Sequence, residues 1–134
     1  METALIPSIL IIDDDPDDVA IATLILGQTG REMKITAVSR GETALELLKT
    51  AKDLPSLILL DIKMPGIGGI ETLREIRASE HLKHLSVIVV TNSSLEADRE
   101  EALAAGADGF LHKAFNMEQF SKEIDSLLKR YIGE

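Results

Sequence analysis

The sequence contains no cysteine and no tryptophan, one tyrosine and three phenylalanines. Without cysteine there is no disulfide, no Cys-ligated zinc, no iron–sulfur cluster and no thiol nucleophile. So few aromatics leave little for a base-stacking platform. Positive charge is scarce as well: 14 Lys and Arg face 23 Asp and Glu, for a net charge of −9. That field repels nucleic-acid phosphates and anionic lipid, so neither nucleic-acid nor membrane-surface binding is expected. No apolar run approaches the roughly 20 residues of a bilayer span. The stretch from Met1 to Ile12 has no basic segment and contains Pro7, unlike a signal peptide. A cytoplasmic protein is the expectation.

What the sequence does have is ordinary globular usage, 45% apolar and 28% charged. Its 134 residues suit one domain, expected over 1–134 with a core from about 8 to 132. A chain of this size buries about two-thirds of its unfolded surface and needs no metal or disulfide to fold. Five short apolar runs recur: Ser8–Ile12 (SILII), Lys34–Val38 (KITAV), Leu57–Leu60 (LILL), Ser86–Val90 (SVIVV) and Gly109–His112 (GFLH). The first, third and fourth are nearly continuous in Ile, Leu and Val, as strands covered on both faces should be. The other two are mixed and suit edge positions. Between the runs lie helix-length stretches. Pro16 with following acids opens the first, and Gly27 with Gly30 closes it. Gly41 opens the second, Gly68–Gly69 the third, and Asn92–Ser94 cap the fourth before Leu95 to Ala105. The last runs from about Asn116, with Phe120, Ile124 and Leu128 on one face. Strand–helix alternation repeated five times implies an α/β fold, a parallel sheet with helices on both faces.

In such a sheet a ligand sits beyond the carboxyl ends of the strands. The residues there are Asp13, Asp14 and Asp15 after the first strand, Asp61 and Lys63 after the third, Thr91 after the fourth, and Lys113 after the fifth. Crowded carboxylates must bind protons or share a cation. A hard divalent ion such as Mg²⁺ takes carboxylate oxygens and completes its shell with water and phosphate. A carboxylate can also be the nucleophile of phosphoryl transfer, forming an acyl phosphate. That reaction needs positioning and charge neutralisation above all, which a Thr hydroxyl and a Lys ammonium supply.

The motifs IIDDDP, LLDIKMPGIGG, VVTNSS and GADGFLHK resemble, in order and spacing, the receiver domain of bacterial two-component response regulators. The resemblance covers about Ser8 to Ile132. It implies a flavodoxin-like (βα)5 fold with strand order 2-1-3-4-5. It further implies that Asp61 is the phosphoacceptor, loaded by a sensor histidine kinase or phosphotransfer protein. Asp14 and Asp61 would ligate Mg²⁺ directly, Asp13 through water, and Lys63 through its backbone carbonyl, with Mn²⁺ able to substitute. Thr91 and Lys113 would contact the phosphoryl group. Thr91 and Phe110 would form the switch that reshapes the face of helix four, strand five and helix five for a downstream protein target or a second copy in a homodimer. The Asp15-Pro16 pair with Asp17-Asp18 looks like the single-domain receivers paired with phytochrome-type histidine kinases. The chain stops soon after the last helix, so a stand-alone signalling protein rather than an enzyme is expected.

Three residues depart from the family pattern. Ala114 stands where a proline with a cis bond is usual, and a cis bond before Ala costs about 2.5–4 kcal/mol. Asn92 replaces a small residue, and Phe110 a frequent Tyr. Phe110 cannot hydrogen-bond, which favours an inward, buried ring even before phosphorylation. Plainer roles suit other residues. Asp15, Asp17 and Asp18 read as helix cap and first-turn charges. Val19 to Leu26, apolar except for Thr23, reads as deeply buried, with an exposed strip for a kinase or second copy as the other possibility. His81, His84 and His112 are scattered and suggest no metal site. An aspartyl-nucleophile phosphatase would need an acid two residues after Asp61, where Lys63 stands. A flavin carrier would need a Gly/Ser/Thr phosphate loop after strand one. A phosphorylation-independent interaction module on the same fold is the alternative reading.

Overall fold

The computed structural model describes residues 6–113 and 117–133. Five parallel strands, β1 (Ser8–Ile12), β2 (Lys34–Val38), β3 (Leu57–Leu60), β4 (Val87–Thr91) and β5 (Gly109–His112), pair in the order β2-β1-β3-β4-β5. The two mixed strands are the edges, and the continuous apolar strands lie inside. Five helices follow them: α1 (Pro16–Gly27), α2 (Gly41–Thr50), α3 (Gly68–Ala78), α4 (Glu96–Ala104) and α5 (Met117–Tyr131). The sequence places β4 one residue early, at Ser86–Val90. Thr91 is the last strand residue instead, because β5 extends beside it, Thr91 pairs with His112, and the Lys113 N–H donates to the Thr91 carbonyl at 2.8 Å. The expected start of the last helix near Asn116 and the Ala114 peptide both lie outside the described residues.

Strand period decides which side chains meet which helices. Leu10, Ile12, Ile58, Leu60, Val87 and Val89 share one face with Leu45, Leu48, Leu73, Ile76 and Ala102 of α2, α3 and α4. The alternate residues, Ile9, Ile11, Leu57, Leu59, Ile88 and Val90, pack with Ile25 and Leu26 of α1 and Phe120, Ile124 and Leu128 of α5. Helix α1 departs from the expected deep burial. Ile25 and Leu26 are buried, but Ile21 is 39% and Leu24 55% exposed. The helix is apolar all round, whereas only one of its sides can face the sheet.

Arg77, near the end of α3, joins three connections. Its Nε donates to the Gly106 carbonyl (2.8 Å), its Nη1 to the carbonyls of Lys83 (3.0 Å) and Leu85 (2.7 Å), and its Nη2 to Asp108 (3.0 Å). The same Asp108 oxygen accepts the Val87 N–H at 2.8 Å, so the knot fixes the start of β4. Arg77→Met keeps the stem but orphans these acceptors. A loss of about 2–4 kcal/mol in urea unfolding is expected, since each unpaired group costs roughly 1–3. A loss near the 0.5 kcal/mol of ordinary surface changes would contradict it.

Candidate functional site

The carboxyl ends of β1, β3, β4 and β5 bring four sequence segments to one rim. Asp13 follows β1, with its N–H donated to the Val38 carbonyl of β2 (3.0 Å). Asp61 follows β3, with its N–H donated to the Ile12 carbonyl of β1 (2.9 Å). Asp61 Oδ1 then accepts the Lys63 N–H at 3.2 Å, and Asp13 Oδ1 accepts the Asp15 N–H at 3.0 Å. Backbone bonds on both sides thus fix the two carboxylates, which are 7% exposed each. Asp14 is exposed beside them. Oxygens of Asp13, Asp14 and Asp61 lie within 4.8 Å of one another, hard donors of the kind Mg²⁺ takes. A cavity of about 470 Å³ opens beside Asp14 and Asp61, bordered also by Asp15, Asp18, Lys63, Thr91 and Asn92. The donor set and the open volume both suit a partly hydrated divalent cation.

Lys113 closes the site from β5. Its Nζ lies 2.7 Å from Asp13, 2.8 Å from Asp18 and 3.5 Å from Asp61. Burial works against its charge, but the hydrogen bonds to Asp13 and Asp18 and attraction to Asp61 outweigh it and hold its pKa above the usual lysine value. For Asp13, burial dominates and raises the carboxyl above its ordinary range, with the Lys113 hydrogen bond offsetting part of the effect. Ionised Asp13 is therefore a folding cost at neutral pH, maintained for the site.

Thr91 is fully buried, and its hydroxyl accepts the Ser93 N–H at 3.3 Å. Phe110 is half-buried against the core on the α2, α3 and α4 side. His112 Nε2 meets the Asn92 carbonyl at 3.1 Å. The structure thus brings Asp13, Asp14, Asp61 and Lys113 together, with Thr91 and Lys63 on the cavity wall.

Of the three acids read as helix charges, Asp15 keeps that role: its side chain accepts the N–H groups of Asp17 (2.9 Å) and Asp18 (3.4 Å). Asp18 keeps its place in the first turn but also turns its carboxylate to Lys113. No local signal separates it from Asp17, the other acid of that turn. Asp98 was also missed. From the first turn of α4 it bonds the Ser93 hydroxyl and lies 3.5 Å from Lys63, tying α4 to the loops after β3 and β4. The Ser93 hydroxyl first, and Lys63 next, hold its carboxyl below the usual range. The cap expected from Asn92–Ser94 is not made: Leu95 is the N-cap of α4 and has no side-chain cap bond, while the Ser93 hydroxyl accepts the Leu95 N–H at 3.2 Å just before the helix.

Comparison with known proteins decides the family. The family model described as "Response regulator receiver domain" matches residues 9–125. The chain belongs to this family. Among curated relatives, the uncharacterized transcriptional regulatory protein YrkP of Bacillus subtilis is 34% identical over 123 residues, 92% of this chain and 50% of YrkP. The chain spans about half the length of such regulators. The response regulator RPA3017, from red light signaling of R. palustris, superimposes with a TM-score of 0.86 at 26% identity, covering 95% of this chain and 94% of RPA3017. The receiver domain of the sensor histidine kinase PA1611 of Pseudomonas aeruginosa PAO1 gives 0.81 at 29% identity, covering 97% and 100%. That receiver carries a magnesium ion coordinated in its active site cleft. The present receiver shares their fold and places an acidic cluster at the carboxyl rim of its own five-stranded sheet. None of its described helices is long and apolar enough to cross a membrane.

Proposed function

We propose that this receiver accepts a phosphoryl group on Asp61 from the phosphohistidine of a sensor histidine kinase or phosphotransfer protein. The observation that carries the reading is the convergence of Asp13, Asp14, Asp61 and Lys113 from three strand ends. A carboxylate oxygen of Asp61 attacks phosphorus in line, an O–P bond forms, and the N–P bond breaks with its electron pair leaving on the imidazole. Asp13, Asp14 and the Lys63 carbonyl would hold Mg²⁺ or Mn²⁺, which when bound neutralises the crowded carboxylates and a phosphoryl oxygen. Lys113 meets a second phosphoryl oxygen. Thr91 meets a third through a charge-assisted hydrogen bond. The movement of Thr91 leaves space for Phe110, and the surface of α4, β5 and α5 changes for a downstream protein or a second copy. The chain acts as a cytoplasmic signalling protein that promotes its own phosphotransfer and dephosphorylation, with no separate substrate.

Titrating beryllofluoride with Mg²⁺ tests this reading by NMR. Amides around Asp61, Thr91 and Phe110 should shift, and Thr91→Ala should bind the probe with a smaller response at Phe110. No shift in the wild-type protein would overturn the reading.

The metal arrangement has its own test. Outer-sphere changes commonly cost about 10–100-fold in metal affinity, so loss of a direct ligand in Asp14→Ala should cost at least about tenfold by calorimetry. Asp15→Ala, which removes the α1 cap, should cost about 1 kcal/mol of stability and leave Mg²⁺ affinity nearly unchanged. Equal losses of affinity would show that the acids are wrongly assigned.

A further inference from the structure

An ammonium has three N–H donors. In this receiver those of Lys113 face three carboxylates, Asp13 at 2.7 Å, Asp18 at 2.8 Å and Asp61 at 3.5 Å. The three differ in what else they do. Asp13 and Asp61 belong to the oxygen cluster suited to a divalent cation, and Asp18 does not. A cation there draws on the same carboxylates that hold Lys113 and repels the ammonium. Asp18 is the anchor that Lys113 need not share.

Its placement is built in. Asp18 sits in the first turn of α1, where a negative charge is favoured by the helix dipole. Its own N–H is donated to the Asp15 cap, and its side chain is 22% exposed, sheltered from full competition by water. The two short contacts come from the α1 and β1 side, so the remaining and longest contact is the one toward Asp61. That leaves the third donor, in its long contact with Asp61, directed at where a new oxygen on Asp61 would stand.

We infer that Asp18 is a positioning residue that holds Lys113 with one N–H directed at Asp61, keeping the ammonium in the site when a cation shares Asp13 and Asp61. The inference rests on the phosphoacceptor reading for its consequence, but not for the contact itself. Without Asp18, the ammonium has only carboxylates that the cation also uses, and its side chain loses its fixed direction. A purely structural acid would leave Lys113 ordered.

The test has two parts on the full chain with saturating Mg²⁺. In the first, ¹⁵N relaxation of the Lys113 Nζ reports its order without any phosphoryl chemistry. Asp18→Ala should release it, Asp18→Glu should retain most of the order, and Asp17→Ala, which removes a charge from the same turn, should change nothing. An ordered Nζ in Asp18→Ala overturns the inference. In the second, Asp18→Ala should weaken beryllofluoride binding about tenfold, the low end for a residue that orients a ligand. In a Lys113→Ala background the same substitution should change binding by less than about twofold, because coupled residues are not additive. A full additional loss there would mean that Asp18 acts independently of Lys113 and overturns the inference. Wild-type protein that binds no beryllofluoride would overturn the phosphoacceptor reading instead, while the Nζ relaxation still decides the role of Asp18.

Discussion

Lys113→Ala should cost the metal-free receiver about 3–5 kcal/mol, the range for removing one partner of a buried ion pair. Asp13 and Asp61 are each 7% exposed, and Lys113 is the cation within hydrogen-bond reach of both. Its removal leaves two buried carboxylates facing each other. The loss depends on pH with a definite sign. Burial already raises the Asp13 carboxyl, so its contribution to stability is greatest below its unfolded value of 3.8 and disappears as pH rises through the folded value. Taking Lys113 away raises that folded value further. The gap between variant and wild type should therefore be widest at neutral pH and narrow as the Asp13 carboxyl protonates. Mg²⁺ should return part of the loss, about 2.7 kcal/mol at a hundred times its dissociation constant. Urea unfolding at neutral and acid pH, with and without Mg²⁺, measures all three. A pH-independent loss, or one that Mg²⁺ does not relieve, would contradict the electrostatic account.

Gly69→Ala should be comparably severe for a different reason. A Cβ at Gly69 would lie 2.2 Å from the Asp61 carbonyl oxygen and 2.4 Å from the Ile62 Cα, so backbone must move. The Gly69 N–H is donated to the Ile62 carbonyl at 3.2 Å, which holds α3 against the loop that carries the site. Overpacking costs roughly 1–3 kcal/mol and sometimes more, and a clash with backbone belongs at the top of that range. Displacing the Asp61 backbone should also weaken Mg²⁺ binding. Gly27→Ala is the control: nothing lies within 4 Å of its added carbon. It should be neutral or stabilising by up to about 1 kcal/mol through lower backbone entropy in the unfolded chain. Thermal unfolding of the two variants separates the cases, and equal behaviour would contradict the close packing of α3 on β3.

Most of the architecture was legible because its signals are local. Continuous Ile, Leu and Val in β1, β3 and β4 mark strands covered on both faces, and the mixed composition of β2 and β5 marks the edges. Asp13, Asp14, Asp61, Thr91 and Lys113 were legible as a group because each ends or follows a strand, and parallel strands end at one rim. What escaped reading depends on direction rather than position. Asp18 lies 95 residues from Lys113, and nothing in Pro16-Asp17-Asp18 distinguishes an acid that faces solvent from one that faces the site. The Asp98 link to Ser93 and Lys63 ties α4 to two loops and depends on direction in the same way. In α1, the apolar run gives burial without giving its side, so the exposure of Ile21 and Leu24 appears only once the helix is laid on the sheet.

The central claim is that Asp61 is the residue that takes the phosphoryl group. It is tested most directly by mass spectrometry after incubation with acetyl phosphate, comparing wild type with Asp61→Asn, each with Mg²⁺ and with a chelator. The account predicts one added phosphoryl group on the wild-type peptide carrying Asp61, only with Mg²⁺, and none on Asp61→Asn. Undiminished labelling of Asp61→Asn, or wild-type labelling that survives chelation, would contradict it.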